Sequence, residues 1–216
     1  MDKNERLIKT KTNWAQHRRS ISCREVDDFD TGDERLPPGQ HMVNNWPVLD
    51  TGYKPVIQLE EWTLTIDGLV EHPLTLSWQE FQDQPQTPST SDFHCVTSWS
   101  QFDNEWEGWS FQHLLQLVQP TPSAKFILFS AYDDYTTNLP LHVCDDEDVF
   151  LVTQWRGKPL SRDHGGPVRM IIPKRYAWKG AKWVKQITFL EKDQKGFWEV
   201  RGYSNTALPW ENDRYA

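Results

Sequence analysis

The chain has 216 residues, 37% of them hydrophobic and 13% aromatic, enough to bury the core of one domain with an irregular arm. Its formal charge of -8 argues against a general nucleic-acid binder, whose phosphate contacts need a basic surface. Cys23, Cys95 and Cys144 are too few and too scattered for a disulfide framework or a zinc knuckle, and they suit a reducing compartment.

Residues 1–34 are polar and mixed in charge and read as an N-terminal arm, with a tail favoured over a wrapping segment or a docking helix. Arg18-Arg19 resembles a twin-arginine signal, but Ser20-Ile21-Ser22-Cys23-Arg24-Glu25-Val26-Asp27-Asp28 follows it where an apolar stretch is needed. The expected location is therefore cytoplasmic. No window carries the roughly 20 consecutive apolar residues of a membrane helix.

A single domain is expected over residues 35–216. It opens on an irregular Pro/Asn/Gly segment in which His41, Asn44, Asn45 and Trp46 can line a polar ligand or simply shape the loop. The alternation from Glu61 to Val70 predicts a half-buried strand, and Leu74 to Leu76 a second. Ser77 is placed to cap a short helix from Trp78 to Phe81. A Pro/Ser/Thr linker leads to the cysteine stretch, followed by turns at Asp103-Asn104 and around Trp106 to Trp109. Ser110 opens a helix from Phe111 to Val118, stopped by Pro120. Strands are expected over Phe126 to Ser130, Val149 to Thr153, Val168 to Pro173 and Val184 to Leu190, with an extended piece from Tyr135 to Leu141. Asp145 to Asp148 is an acidic run of the kind found in solvated turns. Strands outnumber helices, so the predicted fold is α+β, with mixed or mainly antiparallel β-sheets and short helices.

Two features point to chemistry. Cys95 sits within Asp92-Phe93-His94-Cys95-Val96-Thr97-Ser98-Trp99-Ser100. Its thiolate would be a soft ligand for a thiophilic metal or the nucleophile of a thiol enzyme, while a small buried hydrophobe is the bland alternative. The second feature is cationic: Arg156, Lys158, Arg162, Arg169, Lys174, Arg175, Lys179, Lys182 and Lys185 are opposed over that span only by Asp163. Beside Gly165-Gly166 and Gly180 they suggest a bound anion, a phosphate on a cofactor or an anionic substrate; a solvated basic face paired with the acidic run is the alternative. Twelve tryptophans suit either core packing or a pocket for a flat heterocycle.

Phe93 to Ser100, then Trp106-Glu107-Gly108, then His164-Gly165-Gly166-Pro167-Val168-Arg169 and Tyr176 to Trp183 together resemble the molybdopterin-binding domain of the sulfite oxidase family, over about Pro37 to Leu190. The spacing around the cysteine is more similar to bacterial protein-methionine-sulfoxide reductase catalytic subunits than to animal and plant sulfite oxidases. The resemblance implies the sulfite oxidase molybdopterin-binding domain fold, a Mo-molybdopterin cofactor and oxygen-atom transfer to or from a small sulfur- or nitrogen-containing substrate. It makes Cys95 the metal ligand, with the pterin dithiolene supplying two further sulfurs. Arg169, Gly180, Ala181 and Lys182 fall where the family binds the pterin and its phosphate. His164 stands where the sulfoxide reductase has asparagine, Ser130 where it has threonine, and Asn44, Pro47 and Val48 align with the first contact loop. His94, His41 and Tyr176 are candidates for hydrogen bonding near the substrate.

Val96-Thr97-Ser98-Trp99 replaces the arginine-rich stretch that follows the cysteine in animal and plant sulfite oxidases, so sulfite itself is not implied. With no haem-binding or dimerisation domain in the sequence, the expected partners are a small-molecule substrate and a separate electron-transfer protein, and the expected state is a monomer. Two other classes remain at this level: a metal-free cysteine enzyme using Cys95 with His94, and a non-catalytic module binding a phosphorylated ligand. Adjacent strand residues point to opposite faces, which weakens the Cys95–His94 pair.

Overall fold

The computed structural model describes residues 3–20 and 34–216, so Cys23 and the segment after Ser20 lie outside the described residues. Two sheets carry the fold. In the first, β1 (His41–Met42), β5 (Trp99–Ser110), β8 (Phe150–Trp155) and β10 (Arg169–Ile171) lie side by side in that order, with β4 (Thr87–Cys95) paired to β5 and β9 (Lys158–Pro159) to β8. In the second, the order is β3 (Leu74–Ser77), β2 (Thr63–Gly68), β11 (Val184–Leu190), β6 (Phe126–Ala131) and β7 (Thr136–Pro140). Most pairs are antiparallel, but β11 runs parallel to β2 and β1 parallel to β5, which makes both sheets mixed. Helices α2 (Trp78–Gln82), α3 (Phe111–Val118) and α4 (Leu141–Cys144) are short. The α+β expectation and its mixed sheets hold.

The expected strands form because their apolar residues repeat every second position. Leu64 and Ile66 of β2, Ile127 and Phe129 of β6, and Ile187 and Phe189 of β11 all turn to the interior with no exposure. They join Trp62, Phe81, Trp109, Leu151, Val168 and Met170 in one continuous core between the sheets. Ser77 does cap α2, and Glu80 reaches back to its amide to complete a capping box; Ser110 likewise accepts from the His113 amide at the start of α3.

Several expectations fail, among them the turn around Trp106 to Trp109, which is extended strand within β5. The supposed Pro/Ser/Thr linker is the start of β4, and the supposed turn at Asp103-Asn104 lies inside β5, the longest strand. Among the described residues β4 pairs only with β5, and such an edge accepts Pro88 without losing a ladder bond. Between Ser91–Asn104 and Phe93–Gln101 the register skips one residue of β4 and two of β5. The turn-forming Asp103, with φ of 51°, is therefore a bulge in a continuing strand. In the arm, residues Lys3–Ser20 form α1, a helix rather than a tail, with Ala15 fully buried.

Candidate active site

β4 and β5 make a hairpin whose tip holds Cys95. Cys95 pairs with Trp99, and the turn between them is closed by the Ser98 amide donating to the Cys95 carbonyl at 3.1 Å, with Ser98 at φ of 72°. The Gln40 side-chain amide donates to the same carbonyl at 3.1 Å, and Arg214, from the far end of the chain, donates to the Val96 carbonyl and to Ser98 Oγ. Cys95, its sulfur 3.2 Å from Thr97 Oγ1, is 5% exposed and lines a cavity of about 130 Å³. Burial pushes the thiol's pKa up, while Thr97 and the charges of Lys11 and Arg214 oppose the shift.

The cavity lies between two aromatic clusters. On one side stand Trp46, Phe93 and Trp99; on the other Trp178, Trp198 and Tyr203. Three cations line it: Lys11, Arg169 and Lys182. Arg169, 2% exposed at the start of β10, stacks its guanidinium 5.1 Å from the Trp46 ring centroid and 5.2 Å from that of Phe93. It donates to the carbonyls of His164 at 2.9 Å, Gly180 at 3.3 Å and Met170 at 3.4 Å. Lys182 donates to the Asp163 carbonyl at 2.7 Å. Gly165, at φ of 102°, gives it room, because a Cβ there would lie 2.8 Å from the Cβ of Lys182.

Carbonyls satisfy donors but do not neutralise charge. Among the described residues, no ion pair reaches Arg169 or Lys182. Burial pulls Arg169 down to about 9 and Lys182 down to about 7, with Arg169 pushing Lys182 the same way. Two desolvated cations left without carboxylates are poised for an anion from outside the chain. A molybdenum-molybdopterin group fits these residues: a buried sulfur for the metal, uncompensated positive charge for the phosphate, and aromatic walls for the flat pterin. Among the described residues no three His, Cys, Asp or Glu side chains come together around a metal, so further ligands would have to come from the cofactor.

The structure brings together Pro47, Cys95, His164, Arg169, Gly180 and Lys182 of the sequence-selected residues. His164 is stacked on Trp46 at 4.1 Å between centroids, with its Nε2 3.1 Å from the Trp46 carbonyl, so it fixes the first contact loop as well as lining the cavity. Asn44, Val48, Ser130 and Ala181 do not line it. Asn44 points its carbonyl at Gln101, Val48 is exposed, Ser130 lies within the second sheet, and Ala181 is packed in the central core. His41 is exposed on β1, and Tyr176 is buried beneath Trp178 with its ring stacked at 5.4 Å. His94 faces away from Cys95, with Nδ1 2.8 Å from Ser100 Oγ and burial holding its pKa down to about 4. The two groups of a metal-free cysteine enzyme are thus not assembled.

Sequence reasoning missed Lys11, Asp133, Tyr135 and the C-terminal residues Trp198, Tyr203 and Arg214, none of which carried a signal. Of the four loop residues expected to line a ligand, His41, Asn44, Asn45 and Trp46, the structure brings Trp46 to the cavity wall. The cationic stretch is divided by the fold: Lys174 pairs with Asp146 at 2.5 Å and Asp148 at 3.4 Å, as the bland reading expected, and Lys185 with Asp134 at 3.3 Å. Lys179 pairs with Glu199 in the interior.

The profile of the oxidoreductase molybdopterin-binding domain matches residues 51–198. The chain is 37% identical over 182 residues to the uncharacterized oxidoreductase YuiH of Bacillus subtilis, covering 84% of this chain and 92% of that one. It is 27% identical over 157 residues to the protein-methionine-sulfoxide reductase catalytic subunit MsrP of Campylobacter jejuni, covering 65% of this chain and 52% of that protein. Among solved structures, the sulfane dehydrogenase SoxCD of Paracoccus pantotrophus superposes with a TM-score of 0.59 at 22% identity, covering 64% of this chain and 40% of the other. The chain thus spans about half of MsrP and less of the SoxCD chain. A buried cysteine, an anion-ready cationic pair and a profile match that contains both lead to one conclusion: the chain belongs to the oxidoreductase molybdopterin-binding domain family, of the sulfite oxidase type, and is a molybdenum-molybdopterin-dependent oxidoreductase.

Proposed function

We propose that the protein transfers an oxygen atom to or from a small sulfur- or nitrogen-containing substrate and exchanges electrons with a separate redox protein. The observation that carries the reading is the convergence of Cys95, Arg169 and Lys182 on one aromatic-walled cavity. When bound, the molybdenum–pterin group supplies two-electron redox chemistry coupled to gain or loss of an oxygen atom. The chain's part is to hold and enclose that group. Cys95 would give the metal its protein sulfur; Arg169 and Lys182 would hold the phosphate; Gln40, Arg214 and the Ser98 turn keep the sulfur's strand end in place. Trp46, Phe93, Trp178 and Trp198 restrict water around the reacting atoms.

The names of MsrP, of SoxCD and of the fungal nitrate reductase that aligns at 28% identity point to sulfoxide, sulfane and nitrate chemistry, so sulfur and nitrogen oxo compounds are the substrate classes to screen. Among the described residues Cys95 and Cys144 are free and buried, which suits the cytoplasmic placement we infer for the protein.

The decisive experiment measures molybdenum in protein from cofactor-replete cells and repeats the measurement on Cys95→Ser. We expect about one metal atom per chain in the parent, on the premise of one thiolate per metal site, and loss of both metal and visible absorption in the variant. A metal-free parent that is inert, or one that hydrolyses acyl substrates, would overturn the reading. Sulfite, sulfoxides and N-oxides assayed with artificial electron carriers then identify the substrate and the direction of transfer.

A further inference from the structure

Helix α1 lies outside the matched residues 51–198, yet it contributes to the cavity. Its less exposed positions, Asn4, Ile8, Lys11, Thr12 and Ala15, recur at spacings of three and four and so share one helical face. Both ends of that face are docked. A Cβ added to Gly52, next to the wall residues Asp50 and Thr51, would lie 2.0 Å from Asn4 Oδ1. At the other end Ala15 is fully buried against Tyr176, Trp178, Trp198 and Tyr203. The helix therefore bridges the cavity from the first contact loop to the C-terminal segment.

Between the two docking points Lys11 enters the cavity wall, with Nζ 5.6 Å from the centroid of the Trp198 ring. It is near enough to Cys95 and Asp50 for their charges to act on it, yet among the described residues it forms no ion pair. Thus a third cation faces the sulfur end of the site, on an element that adds only Ala15 to the hydrophobic clusters among the described residues. Among the described residues the helix has one fully buried apolar side chain, Ala15; Leu7 is 42% exposed, and Trp14, 48% exposed, meets the Tyr215 ring edge-on at 5.7 Å, so the apolar burial that holds it shut is small.

We propose that α1 is a lid over the cofactor cavity and that Lys11 makes the site selective for substrates bearing a negatively charged group. This rests on reading the cavity as the molybdenum site. Arg169 and Lys182 would be committed to the cofactor phosphate, leaving Lys11 as the cation for the substrate. A carboxylate or oxyanion entering beside the metal would form a charge-assisted hydrogen bond to Nζ, and that bond would hold the helix closed.

The test uses the cofactor-loaded full chain, in which the phosphate site is already filled, as parent, Lys11→Gln and Lys11→Arg. Sulfate is the binding probe, read by tryptophan fluorescence, since Trp46, Trp178 and Trp198 wall the cavity. Losing the ammonium should raise the sulfate Kd on the order of tenfold, and arginine should recover most of it. Two sulfoxides that differ by one carboxylate, methylsulfinylacetate and dimethyl sulfoxide, separate selectivity from general damage. The Gln variant should lose on the order of tenfold more kcat/KM on the charged one. Sulfate should also protect α1 from limited proteolysis in the parent and not in the Gln variant. A sulfate Kd within about twofold of the parent, or equal losses on both sulfoxides, overturns the proposal. Molybdenum assayed in all three proteins separates the two ideas. Its absence from the parent overturns the functional reading and this inference with it, whereas a replete parent whose sulfate affinity ignores residue 11 overturns only the role of Lys11.

Discussion

Lys182 shows what an uncompensated charge does to a single side chain. Its ammonium has a folded pKa of about 7, far below the ordinary lysine value of 10.5, because burial and the neighbouring Arg169 both oppose its charge. The sign follows from linkage: a cation depressed in the folded state costs stability wherever it is charged in both states, which here means below about pH 7. The cost fades as pH rises toward the unfolded value. In cofactor-free protein, Lys182→Met should therefore melt above the parent by most near pH 6, and the gap should narrow steadily toward pH 10. Thermal unfolding of the two proteins across that range checks it, and a gap independent of pH would remove the charge from the explanation. His94 makes a different point. Beside Cys95 in sequence, it is held neutral by burial and faces Ser100 and Trp210, so strand alternation, and not proximity in the chain, decides which residue faces the cavity.

At the level of elements, the β4–β5 hairpin determines where the sulfur sits. Its pairing with β8 passes through a register shift at Glu107–Gly108, and there the backbones approach so closely that a Cβ on Gly108 would meet the Leu151 carbonyl at 2.1 Å. Neither strand can move away without disturbing Trp109 and Leu151, both fully buried. Gly108→Ala should therefore destabilise the fold by about 1–3 kcal/mol, the usual cost of overpacking a dense interior. Urea denaturation measures this directly; an unchanged midpoint would mean that the strands part at little cost. The sequence marked this hairpin poorly. Proline and Asp-Asn are turn signals in isolation, and only the knowledge that β4 is an edge and that β5 accepts a bulge converts them into strand residues.

Across the whole molecule, the cavity is tied to the far sheet and the C-terminal segment by one interior pair. Lys179, in the turn that carries Trp178, lies 2.7 Å from Glu199 with both side chains fully buried, and it also donates to the Asn138 carbonyl at 3.0 Å. Glu199 accepts in addition from the Trp178 indole and from Thr137, each at 3.1 Å. Removing one partner strands the other charge in a low-dielectric interior, so Lys179→Met should cost about 3–5 kcal/mol. Adding Glu199→Gln should recover part of that loss, because the stranded carboxylate is gone. A double-mutant cycle by chemical denaturation gives both numbers, and additive losses would show that the pair is not coupled.

The sequence by itself determined the strands with clean two-residue alternation, the capped helices, the special standing of Cys95 and the gathering of cations around Arg169 and Lys182. These depend on local spacing and on residue chemistry, both of which can be read along the chain. Only the tertiary structure decided which cations stay uncompensated. Lys174 and Lys185 met surface carboxylates and Lys179 met Glu199, whereas Arg169 and Lys182 met carbonyls, and no linear pattern distinguishes these fates. It also brought Lys11, Trp198 and Arg214 to the cysteine from opposite ends of the chain. Burial and pairing are properties of the folded surface each side chain meets, and contacts between residues some two hundred positions apart leave no periodic trace in the sequence.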